Sequence, residues 1–181
     1  MKKLIAMVAA GFMVAATPVL ADNFYVQGDL GYGAQTKDAD TRDGNFVLGG
    51  AVGYDFGAVR AEVGLTNFGQ GDNAGGRVGR VDGQVYGVNA YVEPVTYAGF
   101  TPFATAGVGY GVFNGAGVNK AKEDGVVFNV GGGVSYAVSE KFDLVGTYRY
   151  FISDEDVARQ NNGSYDNFRQ HVFTAGARYK F

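Results

Sequence analysis

Apolar and polar residues alternate with a period of two through most of the chain after residue 22. Successive side chains of a β-strand point to opposite faces, so this alternation predicts strands that have one apolar and one polar face. Eight such strands are predicted: Phe24–Gly33, Phe46–Phe56, Val59–Asn67, Gln84–Glu93, Phe103–Phe113, Val126–Val138, Phe142–Ile152 and His171–Phe181. Most have the roughly 9–11 residues that a tilted membrane-crossing strand needs.

The last predicted strand shows the pattern most clearly. One face carries apolar and aromatic residues and the other carries basic ones: Phe173, Ala175, Ala177, Tyr179 and Phe181 against Arg178 and Lys180. A soluble strand would bury its apolar face in a protein core. In a membrane barrel the apolar face meets lipid and the polar face lines the lumen. Because the apolar face ends in two aromatic residues at the terminus, the membrane arrangement is favoured.

The connections between these strands alternate in length. Long polar segments follow the first, third, fifth and seventh strands, and short segments follow the second, fourth and sixth: Ala34–Asn45, Phe68–Gly83, Asn114–Gly125 and Ser153–Asn167 against Gly57–Ala58, Pro94–Thr101 and Ser139–Lys141. Transmembrane β-barrels have long extracellular loops and short periplasmic turns. The chain is therefore predicted to be all-β, an eight-stranded antiparallel up-and-down transmembrane β-barrel of the outer-membrane type, with both termini in the periplasm.

The N-terminal segment has the pattern of a cleaved signal peptide. Lys2 and Lys3 precede an apolar stretch, Leu4–Ala16, and small residues lead to Ala21. Residues 1–21 are therefore expected to be removed, which leaves 22–181 as one barrel domain. The alternative, a retained membrane helix, needs about 20 apolar residues, and this stretch is shorter.

Composition excludes several functional classes. Removing Lys2 and Lys3 from the 15 basic residues leaves 13 against 18 acidic ones, without a basic block, so a nucleic-acid partner is not expected. The absence of cysteine excludes disulfides, thiolate metal sites and cysteine nucleophiles. The 30 glycines, 14 phenylalanines and 12 tyrosines fit a crowded lumen and the aromatic girdles of a membrane band.

Charged residues of the predicted strands fall mostly on the inward face. We predict a charge network in the lumen, in which Asp29 and Asp143 flank Arg178: Asp29, Arg60, Glu62, Asp143, Arg149, Arg178 and Lys180. One interpretation is a structural plug and the other is a gate that small ions pass. Eight strands close to a diameter that side chains can fill, so an open aqueous pore is not expected.

Catalysis has little support in the sequence. His171 is the only histidine, and alternation places it on the outward face with Phe173. Ser135 lies in the middle of a predicted strand, and it lacks the following helix of a hydrolase nucleophile elbow. We therefore expect no enzyme activity, no metal and no cofactor.

The predicted long loops carry mixed charges. Their basic residues either contact lipopolysaccharide phosphates at the outer rim or are simply solvated: Lys37, Arg42, Arg77, Arg80, Lys120, Lys122, Arg159 and Arg169. No loop has a dense apolar cluster that would indicate a protein-binding hot spot.

Three segments, Thr101–Tyr110, Gly133–Phe151 and Ala177–Phe181, resemble the small outer-membrane β-barrel family that includes the opacity proteins, neisserial surface protein A and the barrel of outer membrane protein A. The Tyr-Arg-Tyr-Phe strand that ends at Phe151, together with the final Phe181, is the most specific part. The resemblance implies a monomeric protein of the Gram-negative outer membrane.

The resemblance also implies roles for the loops and the terminus. Members of the family act as surface antigens, adhesins or envelope-stabilising proteins through their loops, so host or envelope surface molecules are the expected partners, besides outer-membrane lipid and lipopolysaccharide. Tyr179 and Phe181 would be the assembly signal for the barrel-insertion machinery. The alternatives are a narrow porin-like channel for ions or small solutes and, less in keeping with the residues, a lipid-modifying enzyme.

Overall fold

The computed structural model describes residues 23–35, 44–69, 82–114, 122–153, 159–161, 164–166 and 169–181. It consists of β-strands in the following order: β1 Phe24–Gln35, β2 Gly44–Asp55, β3 Val59–Phe68, β4 Asp82–Val92, β5 Phe100–Asn114, β6 Lys122–Ala137, β7 Phe142–Ser153, β8 Arg159–Asn161, β9 Ser164–Asp166 and β10 Arg169–Lys180. Within those ranges, no helix has the length and apolarity to span a membrane. The predicted signal peptide lies outside the described residues.

Eight of the strands form a closed antiparallel barrel in the order β1-β10-β7-β6-β5-β4-β3-β2. Closure depends on β1 and β10, whose register runs from Tyr25 opposite Lys180 to Gln35 opposite Gln170. Every other ladder joins strands that are neighbours along the barrel part of the chain. A closed sheet has no unpaired edge, as a hydrocarbon environment requires. The prediction of an eight-stranded up-and-down barrel is confirmed.

The structure adds one short hairpin to the predicted strands and shifts several of their bounds, of which β6, beginning at Lys122 and not at Val126, moves the most. The short hairpin β8–β9 lies within the segment predicted as a polar loop, because three-residue strands are too short to show a period. Strand β5 also begins at Phe100, before the predicted start at Phe103. Pro102 is tolerated there because the last pair between β4 and β5 is Val92 with Ala104. Beyond that pair, one side of β5 needs no ladder donor.

The three short turns lie at the end of the barrel where β1 begins and β10 finishes. In the β2–β3 turn, Gly57 has φ of 99° and its amide donates to the Asp55 carboxylate at 2.7 Å. In the β4–β5 turn, Ala98 and Gly99 both have positive φ, at 50° and 83°. Two consecutive positive φ values are typical of the type I′ turn that matches the twist of a hairpin. Following outer-membrane barrels, we call this end periplasmic.

The outer face of the barrel is apolar, with aromatic rings near both ends. Near the periplasmic end, Phe24 and Tyr54 have ring centroids 4.9 Å apart, and Phe100 and Tyr136 have centroids 4.6 Å apart. Aliphatic and small residues lie between the two aromatic bands. These side chains are exposed on the isolated barrel, as lipid-facing residues are: Val26, Leu30, Leu48, Val52, Val63, Val88, Val108, Val130, Val134 and Leu144.

Candidate functional site: the lumen and the rim

Charged side chains fill the periplasmic half of the lumen, and Arg60 is at the centre of this group. Its side chain is 1% exposed, and its Nε atom lies 2.7 Å from Glu93 Oε1. Its Nη1 atom donates to the Tyr25 hydroxyl at 2.9 Å, and its guanidinium carbon lies 4.4 Å from the centroid of the Tyr91 ring. Gly53 makes this packing possible, because a Cβ there would lie 2.1 Å from the Tyr25 ring.

Glu62 connects the tyrosines to a second arginine. The hydroxyls of Tyr25 and Tyr91 donate to its two carboxylate oxygens at 3.2 and 2.8 Å. Arg149 Nη2 lies 3.7 Å from Glu62 and also donates to the Tyr91 hydroxyl. Because the Glu62 side chain is only 2% exposed, these donors replace the water that its charge would otherwise require.

Arg178 links Asp143 to the rest of the group. Its Nε and Nη2 atoms contact Asp143 Oδ2 at 2.8 and 2.7 Å, and Nη1 lies 3.7 Å from Glu93. Lys180 contacts the other Asp143 oxygen at 3.0 Å. The Ser135 hydroxyl accepts a hydrogen bond from Arg178 at 3.3 Å. We call this set of charged residues the charge network: Arg60, Glu62, Glu93, Asp143, Arg149, Arg178 and Lys180.

The structure brings together six of the seven residues predicted for the lumen. Asp29 is the exception, because its carboxylate accepts two hydrogen bonds from Gln27, at 3.0 and 3.1 Å, rather than contacting Arg178. Sequence reasoning missed Glu93, Tyr25 and Tyr91. Tyr25 and Tyr91 lie in the inward phase of β1 and β4, and Glu93 continues that phase one residue beyond β4, so the alternation itself was the signal. Selecting charged residues alone overlooked the tyrosines.

An apolar layer crosses the extracellular half of the lumen. Seven buried side chains, each from a different strand, pack together there, and we call them the apolar layer: Val47, Phe68, Val85, Phe113, Val127, Phe151 and Val172. The rings of Phe68 and Phe151 meet edge to face, with centroids 5.5 Å apart. Beyond this layer, Gln170 donates a hydrogen bond to Asn45 across Gly33. The inward face is therefore interrupted by an apolar layer, contrary to the sequence expectation of a polar lumen.

A cavity of about 20 Å³ lies between the apolar layer and the charge network. Asp29, Asn129 and Arg149 line it, together with inward glycines such as Gly49. Asn129 donates to Asn89 at 2.9 Å, while Asn129 Oδ1 and Arg149 Nε have no hydrogen-bond partner within the described residues. A polar cavity of this size has room for about one water molecule.

The residues considered for catalysis lie far from each other. Ser135 is buried in the lumen at the periplasmic end of β6. His171 is on the outward face at the other end of β10, where Tyr148 Oη lies 2.8 Å from its Nδ1. A nucleophile and a base must lie within hydrogen-bond reach, and these two do not. Among the described residues, no group of three or more His, Asp or Glu side chains is placed to hold a metal.

Tyr179 and Phe181 lie on the outer face at the periplasmic end, with ring centroids 5.5 Å apart. Of the basic loop residues, only Arg169 has a described side chain, and it is exposed. For Lys122 and Arg159 only the backbone is described. The remaining five lie outside the described residues: Lys37, Arg42, Arg77, Arg80 and Lys120.

Comparison with known families gives a match over nearly the whole chain. The profile described as "Outer membrane protein beta-barrel domain" matches residues 4–181. No curated protein sequence is significantly similar to the chain.

Solved structures show the same fold at low sequence identity. Neisserial surface protein A is 23% identical, with a TM-score of 0.67 over 87% of this chain and 97% of that chain. The N-terminal barrel of OprF from Pseudomonas aeruginosa is 15% identical, with a TM-score of 0.61 over 88% and 98% of the two chains. Outer membrane protein H (OprH) from P. aeruginosa is 19% identical, with a TM-score of 0.56 over 88% and 99%.

Proposed function

Since this chain belongs to the outer membrane protein β-barrel family and lies in the Gram-negative outer membrane, we propose that it is a non-enzymatic surface protein whose four extracellular loops make contacts outside the cell. These contacts serve adhesion or envelope integrity. In this proposal the barrel acts as a monomeric, closed platform that holds the loops at the surface.

The filling of the lumen is the observation that carries this proposal. The charge network occupies the periplasmic half with buried ion pairs, and the apolar layer crosses the extracellular half. An ion moving along the axis would lose its hydration at the apolar layer, where the side chains offer no polar replacement. A lumen filled in this way supports a scaffold, and it leaves the loops as the parts that meet other molecules.

Single-channel recording in planar bilayers tests the scaffold role. We expect the refolded protein to give no stable conductance steps. The variant Arg178→Gln keeps a shorter polar side chain and removes the charge that bridges Asp143 and Glu93. Stable steps in the wild type that this variant abolishes would instead support the narrow channel.

A loop-deletion series tests the surface role. Each segment between β1 and β2, β3 and β4, β5 and β6, and β7 and β10 would be replaced by a short Gly/Asn turn, since barrels tolerate such replacements when the strands are untouched. We expect at least one deletion to lower cell adhesion or serum survival at unchanged surface abundance. Four deletions without effect would remove the support for surface contact.

The narrow channel is the second candidate function, and one feature favours it. The polar cavity between the apolar layer and the charge network is lined by Asp29 and by the Arg149 Nε atom, which has no hydrogen-bond partner among the described residues; both groups could stabilise an ion part-way along the axis. The conductance experiment above distinguishes this candidate from the scaffold.

We also propose that Tyr179 and Phe181 are recognised by the barrel-assembly machinery. Their exposed rings lie at the periplasmic edge, where insertion machinery would meet them. The variant Phe181→Ala should insert less efficiently in cells while refolding normally in micelles. Val95→Ala, in an exposed periplasmic turn, is the control and should leave insertion unchanged. Normal cellular insertion of Phe181→Ala would contradict this assignment.

A further inference from the structure

The ladder that closes the barrel has no turn to set its register. Strands β1 and β10 are the first and the last strand of the barrel, whereas a tight turn fixes how two hairpin strands pair. A slip of one residue would point every lumen side chain toward lipid, so a slip of two residues is the smallest that keeps the two faces. Such a slip would change the shear of the barrel and with it the diameter of the lumen.

Three consecutive inward pairs of this ladder each combine one glycine with one residue that bears a side chain: Asp29 with Gly176, Gly31 with Thr174, and Gly33 with Val172. We call them the seam pairs. The glycine is on β10 in the first pair and on β1 in the other two, so both strands contribute side chains. At each of these levels, β1 and β10 together place one side chain in the lumen.

The first seam pair has no room for a second side chain. A Cβ atom at Gly176 would overlap a carboxylate oxygen of Asp29 and would lie 2.5 Å from the Gly28 carbonyl oxygen. The Asp29 carboxylate is held in this position by Gln27, whose amide donates to its two oxygens at 3.0 and 3.1 Å. The space above Gly176 is therefore already filled by a fixed group.

The other two seam pairs are equally tight. A Cβ atom at Gly31 would overlap the Phe173 carbonyl oxygen and would lie 2.7 Å from Thr174 Cα. A Cβ atom at Gly33 would overlap the side-chain amide of Gln170. Each level therefore accepts a side chain from one of the two strands and not from both.

A slip of two residues in either direction violates this restriction. In one direction Asp29 comes opposite Thr174, so two side chains compete for the space of one. In the other direction Asp29 comes opposite Arg178, and Gly31 comes opposite Gly176, so one level is overfilled and the next is empty. The observed register is the one among the three that places a single side chain at every level.

We propose that the seam pairs determine the register in which β10 closes against β1. By excluding the two neighbouring registers, they set the shear of the barrel and the diameter at which the lumen closes around the charge network. This role concerns closure of the sheet and is independent of the proposed loop contacts.

Paired cysteines can report the register, because the natural chain has no cysteine. Residues directly opposite in an antiparallel ladder have Cα atoms about 4.5–5.5 Å apart, within disulfide range, and a slip of two residues separates them to about 8–9 Å. Leu30→Cys with Ala175→Cys reports the observed register, and Leu30→Cys with Phe173→Cys reports the slip. The full refolded protein is oxidised with iodine in micelles, and each disulfide is quantified by mass spectrometry.

Exchanging two inward residues of β10 should move the register at constant composition. Thr174→Gly with Gly176→Thr places a side chain against Asp29 in the observed register, whereas after the slip Asp29 again faces a glycine. We expect the disulfide between positions 30 and 173 to become the main product. Thr174→Gly alone adds no atoms, and it should raise this slipped product roughly tenfold over the level without the substitution. The single variant decides the question even where the double variant does not fold.

Gly28→Ala with Ala177→Gly is the matched control. These two residues face each other on the outer side of the same ladder, and a Cβ atom at Gly28 has no atom within 4 Å. Their exchange should leave the disulfide pattern unchanged. A Thr174→Gly variant that keeps the pattern of the observed register would overturn the proposal. A slip caused by the control exchange would also overturn it, because the outer face would then set the register.

Discussion

Arg178 and Asp143 face each other across the β10–β7 ladder, and two guanidinium nitrogens converge on one carboxylate oxygen at 2.7 and 2.8 Å. Both side chains are at least nine-tenths buried. Lys180 takes the second oxygen, so the carboxylate has a cationic partner on each side. The pair lies next to the seam where β1 and β10 close the barrel, and it connects β10 to its other neighbour, β7.

Removing the Asp143 charge should destabilise the barrel. Asp143→Asn leaves Arg178 buried without its closest anion, and breaking a buried pair in this way costs about 3–5 kcal/mol. The free energy of unfolding in urea, followed by circular dichroism in micelles, measures the loss. Asp55→Asn is the matched control: Asp55 accepts one hydrogen bond from a turn amide, which the Asn oxygen can still accept, so its variant should lose less than about 1 kcal/mol. Equal losses would mean that the buried pair has no special weight.

The apolar layer should respond to truncation as a protein core does. Phe151→Ala removes a ring that is 2% exposed and packs against Phe68, and such a change costs about 3–5 kcal/mol. Phe173→Ala removes the same side chain from the lipid face, where the ring is 56% exposed, and should cost much less. Unfolding free energies of the two variants test this difference. A larger loss for Phe173→Ala would show that lipid contacts outweigh lumen packing.

Adjacent glycines on β2 allow the cavity to be tested. Gly50 faces outward with no atom within 4 Å of an added Cβ, so Gly50→Ala should raise the free energy of unfolding by about 0.5–1 kcal/mol. A Cβ at Gly49 would lie 3.4 Å from Asp29 Cβ, which is ordinary contact, but it would fill the cavity where we expect one bridging water. Gly49→Ala should therefore be about 1 kcal/mol less stabilising than Gly50→Ala. If Gly49→Ala raised the free energy of unfolding as much as Gly50→Ala or more, the cavity would be dry.

Replacing Ala98 by glycine should stabilise the β4–β5 turn. Its φ of 50° is in the left-handed region, and in the described residues no other side-chain-bearing residue has positive φ. Ala98→Gly removes the steric cost of Cβ and should raise the unfolding free energy by roughly 0.5–1 kcal/mol. Ala58→Gly, in the β2–β3 turn, lacks that benefit and should lower stability by a similar amount. A thermal or urea unfolding series distinguishes the two outcomes.

The strands were predictable from sequence because the surroundings impose the period. Lipid on one side and a narrow lumen on the other require alternating side chains, as in β10, where Phe173, Ala175 and Ala177 point outward around Thr174 and Gly176. The alternation of long and short connections then predicted the up-and-down topology. The hairpin β8–β9 was missed because three residues are too few to show alternation.

The internal arrangement was only partly predictable. Alternation places Val85 and Val127 inward, but an apolar residue in the inward phase looks like noise when the lumen is expected to be polar. The two side chains lie at the same level along the barrel axis because of the stagger between the strands, which the sequence alone does not show. The partner of Asp29 was missed for a related reason. Gln27, two positions away on the same face, is within reach without any tertiary contact, so a local partner was preferred to the more distant Arg178.

The ladder between β1 and β10 joins the first and the last strand of the barrel, whereas the other barrel ladders form between consecutive barrel strands. Hairpins can therefore assemble early and locally, but the cylinder is incomplete until its final segment arrives. A nascent polypeptide that stops short of β10 would retain two bare edges capable of recruiting a second chain, so premature termination should yield aggregates and not a smaller working pore or platform.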